Sequence, residues 1–214
     1  MTASTPSSPP SLSLVRAEPE SDTSLCRAFL EGDSKAFGEL VRRHQDTVYR
    51  VVRRYVTRPE DGFDLAQRAF LQAFEAARRT LPRLDRASGG EIPFRAWVLR
   101  IAINLAKNHS RQTRRWRLAP LQNVAPLRTE GSAQAALEHA EAEAMTRQAV
   151  LKLPKRQREV FTLRIDAGLP FAEVGRTLGI TEANAKTHFH YAVKRLREEV
   201  EALMQPPTGA PHAV

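Results

Sequence analysis

Residues 93–117 read PFRAWVLRIAINLAKNHSRQTRRWR. Wound at 3.6 residues per turn, they place Phe94, Trp97, Val98, Ile101, Leu105 and Trp116 on one stripe. A second stripe holds Arg100, Asn104, Lys107, Arg111 and Arg114. The first stripe has the spacing of a helix docked on a core. The second carries cations and amides over several turns and no carboxylate. Such a face suits a polyanion that also offers bases to hydrogen-bond. Basic amphipathic helices also lie on membrane surfaces or bind partner proteins, so the flanking sequence has to discriminate.

Upstream, three further helical patterns precede this one. Ser21-Asp22-Thr23-Ser24 offers helix caps, and Leu25, Phe29 and Leu30 give a short apolar face. Gly32-Asp33-Ser34 breaks that helix and caps the next. From Lys35 to Val56, Phe37, Leu40, Val41, His44, Val48, Val51, Val52 and Tyr55 repeat at three and four, which predicts a long amphipathic helix. Pro59 marks a helix start. In EDGFDLAQRAFLQAFEAARR the inner face is Leu65, Ala69, Phe70, Ala73, Phe74 and Ala77, with Asp61, Asp64, Gln67, Arg68 and Gln72 outside. Thr80 to Pro93, with Pro82, Gly89, Gly90 and Pro93, reads as a loop. The spacing predicts a four-helix unit over residues 22–117.

Downstream, residues 118–132 hold Pro120, Pro126 and Gly131 and read as an irregular linker. A second helical unit is predicted over 133–204. It opens with an Ala- and Glu-rich helix to about Leu151, followed by a helix from Lys155 to Ala167 with Val160, Phe161, Leu163 and Ile165 for its core. The Ser- and Pro-rich arm 1–21 and the tail 205–214 have little to bury and read as disordered. The expected fold class is therefore all-α, two small helical domains joined by an irregular linker.

Composition narrows the partners. Among 214 residues, 33 Lys+Arg face 24 Asp+Glu, a formal charge of +9, which favours nucleic acid or acidic surfaces. The single cysteine, Cys26, permits no internal disulfide and no cysteine-rich zinc site, and fits a reducing cytoplasm. No apolar run is long enough to span a bilayer, and the N-terminus lacks the pattern of a signal peptide.

FAEVGRTLGITEANAKTHFHYAVKRL, residues 171–196, meets the requirements of a helix-turn-helix. Gly179 supplies the tight turn, and Gly175 leaves room for close backbone approach. The second helix buries Ala185, Phe189, Ala192, Val193 and Leu196 and offers Asn184, Thr187, His188 and Tyr191 to a major groove, followed by Lys194 and Arg195. Asn pairs with adenine edges, while Thr and His reach base edge or phosphate. Lys186, Lys194, Lys155, Arg156 and Arg158 are read as phosphate contacts, which position without specifying. His188 and His190 are two apart and diverge on a helix, so no metal site is expected. A plain helical hairpin with a solvated face is the alternative for this segment.

Together, EDGFDLAQRAFLQAF, FRAWVLRIAINLAKNHSR and LPKRQREVFTLRIDAGLPFAEVGRTLGITEANAKTHFHYAVKRL resemble, in that order, the sigma factors of bacterial RNA polymerase. The resemblance is to the sigma-70 family, in its two-domain extracytoplasmic-function (ECF) group, and covers about residues 25–200. It implies that Asp61, Asp64, Gln67, Phe70 and Gln72 dock on the clamp helices of core RNA polymerase. It implies that the segment from the Leu81–Ile92 loop through Arg111 holds the melted −10 element. On those grounds Trp97, Arg100, Asn104, Lys107, Asn108, Arg111, Arg114 and Arg115 are the candidate −10 contacts, and the helix-turn-helix would read the −35 duplex. Many relatives are held inactive by an anti-sigma factor. Departures from the family pattern are Arg68 where a carboxylate is usual, Asn108 for a common aspartate, His188 and Tyr191 for arginines, and Pro170 for a capping serine.

The sequence offers no phosphate-binding GxxxxGKS/T loop, no HExxH and no nucleophile with a base, so neither an enzyme activity nor a cofactor is expected. Strand opening would come from binding alone, in the cytoplasm at the nucleoid. The rival function is a helix-turn-helix DNA-binding regulator that acts without joining polymerase, its front half a sensor. That front half offers no acidic cluster suited to a phosphoacceptor.

Overall fold

A computed structural model describes residues 20–117 and 145–204. The predicted arm, linker and tail lie outside these residues, as does most of the helix predicted from Ala133. Among the described residues the only regular elements are helices. They are α1 (Asp22–Glu31), α2 (Ser34–Arg53), α3 (Pro59–Ser88), α4 (Phe94–Arg117), α5 (145–152), α6 (Lys155–Ile165), α7 (Phe171–Leu178) and α8 (Glu182–Met204).

The caps act as their chemistry dictates. The Ser21 hydroxyl accepts from the Ser24 N–H at 3.1 Å, and the Asp33 carboxylate accepts from the Lys35 N–H at 2.9 Å. Both satisfy amides that a helix start leaves without intrahelical partners. Between them Gly32 turns the chain at φ 118°.

The segment predicted as a loop from Thr80 to Pro93 is corrected by the structure. Helix α3 continues through Pro82 and ends only at Gly89, where φ is 72°. Proline removes one backbone bond from a helix interior. Tertiary contacts outweigh that loss: Leu81 is fully buried, Leu84 packs on the core, and Arg27 of α1 grips Asp85 at 3.0 Å and the Gly90 carbonyl at 2.9 Å.

The first unit closes around Phe29, Phe37 and Phe94, with Phe74 at the rim. Phe37 of α2 lies 5.1 Å from Phe29 and from Phe74, and 5.9 Å from Phe94, centroid to centroid. Tilted and edge-on pairs at this range add to burial. Helices α3 and α4 pack together, and each buries alanines completely: Ala69, Ala73 and Ala77 on α3, Ala102 and Ala106 on α4. Cys26 is also fully buried in this core, and burial pushes its thiol up to about 12.

The burial pattern corrects the reading of α4. The buried residues are Phe94, Val98, Leu99, Ala102, Ile103 and Ala106, whereas Trp97, Ile101 and Leu105 sit half-buried at the flank. The inner face is rotated by about a quarter turn from the predicted stripe, counted at 100° per residue. The predicted stripe took in Ile101 and Leu105 and passed over Leu99 and Ile103, which with Ala102 and Ala106 are the residues that face inward.

The second unit is a smaller bundle. Val160, Leu163, Val174 and Ala185 are fully buried and continue the core of the first unit, while Val150, Leu153 and Ala192 form a satellite with Phe161 and Leu196. Ile165, predicted as core, is 53% exposed. Gly179 turns α7 into α8 at φ 66°.

Candidate nucleic-acid interface

The outer face of α4 is what its rotated packing leaves free. Arg100, Asn104, Asn108 and Arg111 are all exposed. Lys107 is different: its side chain is 21% exposed and its ammonium lies 2.7 Å from Glu159 of α6. Trp97 is half-buried, edge-on to Phe94 at 5.8 Å. Arg114 and Arg115 fall in the last turn of α4, and their side chains lie outside the described ones.

The helix-turn-helix depends on a backbone crossing. A Cβ built on Gly175 would stand 2.8 Å from the Ile180 carbonyl oxygen. Only glycine permits that approach without a shift of main chain. Thr181 then accepts the Asn184 N–H on its hydroxyl at 3.2 Å, fixing the start of α8. Along α8, Asn184, Lys186, Thr187, Tyr191, Lys194 and Arg195 are exposed. Lys186 is bridged to Glu182 at 2.7 Å, and the Thr187 hydroxyl donates to the Ala183 carbonyl at 3.0 Å. His188 is half-buried rather than fully presented.

The three basic residues of α6 separate. Lys155 is exposed, and it holds its proton less tightly than a free lysine because Lys107, and to a lesser degree Arg111 and Arg156, stand near it. Arg156 reaches Glu159 at 3.0 Å. Arg158 is occupied otherwise. Its guanidinium donates to the carbonyls of Val150 at 3.1 Å, Leu151, and Leu153 at 3.1 Å, at the end of α5, and covers the Tyr55 ring at 5.6 Å. It is a helix-end anchor, not a spare cation.

A separate surface lies on α2 and α3. Of the residues singled out for docking, Asp64, Gln67 and Gln72 are exposed, Asp61 is half-buried 3.5 Å from His109, and Phe70 is buried. Arg68 turns back to Asp64 at 3.4 Å. The apolar part of this surface comes from residues the periodic reading passed over: Phe63, 63% exposed, and Leu71, 58% exposed, with Phe74 at 47% instead of inside. They line one groove with Val41 and Tyr49 of α2, Phe63 stacking on Tyr49 at 4.3 Å. Phe63, Leu71 and Phe74 share one helical face with Gln67, at 63, 67, 71 and 74, and that spacing was the available signal.

Two family models match the two units. Sigma-70 region 2 matches residues 40–116, and Sigma-70 region 4 matches residues 144–196. The chain belongs to the sigma-70 family. Its relatives place this sigma factor in the ECF group. It is 30% identical over 176 residues to the ECF RNA polymerase sigma factor SigM of Mycobacterium tuberculosis strain H37Rv, covering 82% of this chain and 83% of that one. It is 30% identical over 201 residues to the ECF RNA polymerase sigma-E factor of Escherichia coli K12, covering 89% and 97%. With the RNA polymerase sigma-H factor of Pseudomonas aeruginosa the figures are 28% over 198 residues, 87% and 95%. Among solved structures, CnrH in complex with the cytosolic domain of CnrY shares the fold, with a TM-score of 0.64, 24% identity, and 85% and 97% coverage. Both halves of the sigma factor thus have counterparts in polymerase-associated relatives, and the reading as a free-standing regulator with a sensory front half is set aside. Among the described residues no helix is long and apolar enough to cross a membrane.

Proposed function

We propose that this sigma factor divides promoter recognition between its two units, residues 22–117 and 133–204. Asn104, Asn108, Arg111 and Arg100 hold the separated −10 strand, Arg114, Arg115 and Lys107 add charge, and Trp97 borders the same face. Asn184, Thr187, His188 and Tyr191 read the −35 duplex, with Lys186, Lys194, Arg195, Lys155 and Arg156 on phosphates. The α2–α3 groove, with Phe63, Leu71 and Phe74 added to Asp61, Asp64, Gln67 and Gln72, docks on the polymerase clamp helices. Phe70 supports that groove from below.

The observation that carries this reading is the face of α4: four exposed polar or cationic side chains, Arg100, Asn104, Asn108 and Arg111, in register over three turns, on a helix whose opposite face is fully buried. Unstacking and unpairing cost a few kcal/mol for a flipped base. Stacking on protein returns roughly 1–3 kcal/mol per base. Binding can therefore hold an opened strand without fuel once polymerase contacts contribute, which fits a chain with no catalytic step. The site of action is the cytoplasm, at the nucleoid. An anti-sigma protein is the expected regulatory partner; RpoE of Bartonella quintana, a fold relative at 16% identity, was solved with the anti-sigma factor NepR.

The test is reconstitution. The purified chain and core polymerase should co-elute, and the complex should transcribe from promoters the core ignores. Failure to co-elute with no inhibitor present overturns the proposal.

A further inference from the structure

The last three turns of α3 are rich in arginine. Residues 76–90 carry Arg78, Arg79, Arg83 and Arg86 against a single carboxylate, Asp85. Two of these charges are already engaged: Asp85 takes Arg27 of α1 at 3.0 Å, and Arg78 covers the Phe29 ring at 5.4 Å. Arg79, Arg83 and Arg86 remain. All three are exposed, and among the described residues none of them has an ion-pair or hydrogen-bond partner. They form a row because α3 runs on through Pro82, which sets positions i, i+4 and i+7 on one stripe. At 1.5 Å per residue the row is about 10 Å long.

The bridge between Asp61 and His109 locates that row. It ties the first turn of α3 to the second half of α4 at 3.5 Å, so the two helices run antiparallel. Its side chains are 32% and 28% exposed, which puts it at the solvent edge of the helix contact. From Asp61 to Arg79 is five full turns at 3.6 residues each, so Arg79 stands on the same flank of α3, above the same edge. On α4 that edge is Trp97, Ile101, Leu105 and His109, an i, i+4 series that is half-buried throughout, with Asn104 and Asn108 beside it on the outside. Counting along antiparallel helices sets Phe94 level with about residue 76, so the three arginines overhang the start of α4. The groove of Phe63, Leu71 and Phe74 lies about a third of a turn away around α3, so the row stands outside it.

We propose that Arg79, Arg83 and Arg86 hold the sugar-phosphate backbone of the separated strand where it runs past Trp97 and off α4, lengthening the footprint without reading bases. The proposal rests on the strand-binding role given above to α4. A stacked strand presents a phosphate about every 3.4 Å, so a row of about 10 Å meets about three of them. Guanidinium forks match phosphate oxygens. The row holds no amide to read a base edge and no aromatic ring to stack on one, so it positions without specifying. No ion pair has to break to free these cations, in contrast to Lys186, which is bridged to Glu182.

The experiment is a salt titration of the full chain by fluorescence anisotropy, with a labelled mixed-sequence DNA strand of about 20 nucleotides and with the same sequence as duplex. The triple variant Arg79→Gln, Arg83→Gln, Arg86→Gln should lower the strand's salt slope by about two, three phosphates at about 0.7 each, and weaken strand binding at low salt by about tenfold. Duplex binding, which uses α8, should change far less. Lysine at the same three positions should keep the slope, because counterion release follows charge. A control triple of exposed cations elsewhere in the first unit, Lys35→Gln, Arg42→Gln, Arg58→Gln, should leave the slope near wild type. An unchanged slope overturns the proposal, and so does a loss that the control matches or that duplex shares equally. Weakened co-elution with core polymerase while strand binding stays intact also overturns it, and makes the row a protein contact. Should the glutamine triple lose helical circular dichroism, Arg83→Gln alone decides, with an expected slope loss of about 0.7. Arg111→Gln in the same titration reads the α4 assignment by itself, so the two proposals fail separately.

Discussion

At the scale of single residues, two glycines in helices should answer alanine with opposite signs. Gly38 is exposed on α2 with open space around its would-be Cβ, so Gly38→Ala should stabilise by about 0.5–1 kcal/mol. Gly175→Ala drives a methyl into the Ile180 carbonyl and should destabilise by about 1–3 kcal/mol. Urea melts of the two variants check the pair. Asp22 provides a pH handle. Its carboxyl is held below the usual range, first by the hydrogen bond from His44 at 2.6 Å, with Arg43 adding its charge. A lowered native value means the contribution is complete above about pH 4, the unfolded value, and is lost as pH falls through the native one. Asp22→Asn should therefore lower stability at pH 6 and flatten the acid limb of the stability curve, read by melts from pH 6 to 2.5. The sequence made Gly175 legible, because a helix-turn-helix has one crossing and a glycine stood at it. The Asp22–His44 pair was not legible. His44 falls on the apolar stripe, and nothing local announces a carboxylate 22 residues earlier as its partner.

At the scale of elements, α3 shows where periodicity succeeds and where it misleads. The run Leu65, Ala69, Ala73 and Ala77 is buried as its spacing requires. Proline and glycine punctuation suggested an end near Thr80, yet Leu81 and the Arg27–Asp85 bridge carry the helix to Ser88. Long-range packing overrode a local signal, and such packing is invisible in a linear reading. The same element holds the apolar row Phe63, Leu71 and Phe74 on an otherwise polar face. Replacing Phe63 and Leu71 together by serine should leave the melting temperature within a few degrees, since both are more than half exposed. It should weaken co-elution with core polymerase at least tenfold. Retained affinity would remove the groove from the docking surface. Helix α4 teaches a related lesson. Arg100, Asn104 and Arg111 of its polar stripe are exposed while Lys107 is paired with Glu159, and the buried face turns on Leu99, Ala102, Ile103 and Ala106 instead of Ile101 and Leu105.

At the scale of the whole molecule, the cations of α4 and α6 converge, and convergence makes binding sensitive to salt. Arg111→Gln should reduce the salt slope of open-complex formation by about one ion. The measurement is open-complex yield against potassium chloride from 50 to 200 mM, and an unchanged slope would remove Arg111 from phosphate contact. The docking of one unit on the other could not be foreseen. Glu159, Asp166 and Arg54 each look like ordinary surface charges in the sequence, and only the fold brings them beneath a neighbouring helix.

The lone thiol has a practical consequence. Cys26 lies sealed on the inner face of α1 with its proton firmly retained, and maleimides attack the thiolate. A cysteine engineered on any outward surface can be coupled to a dye while the native one stays silent. The chain thus arrives ready for single-molecule fluorescence, with no background substitution to prepare it.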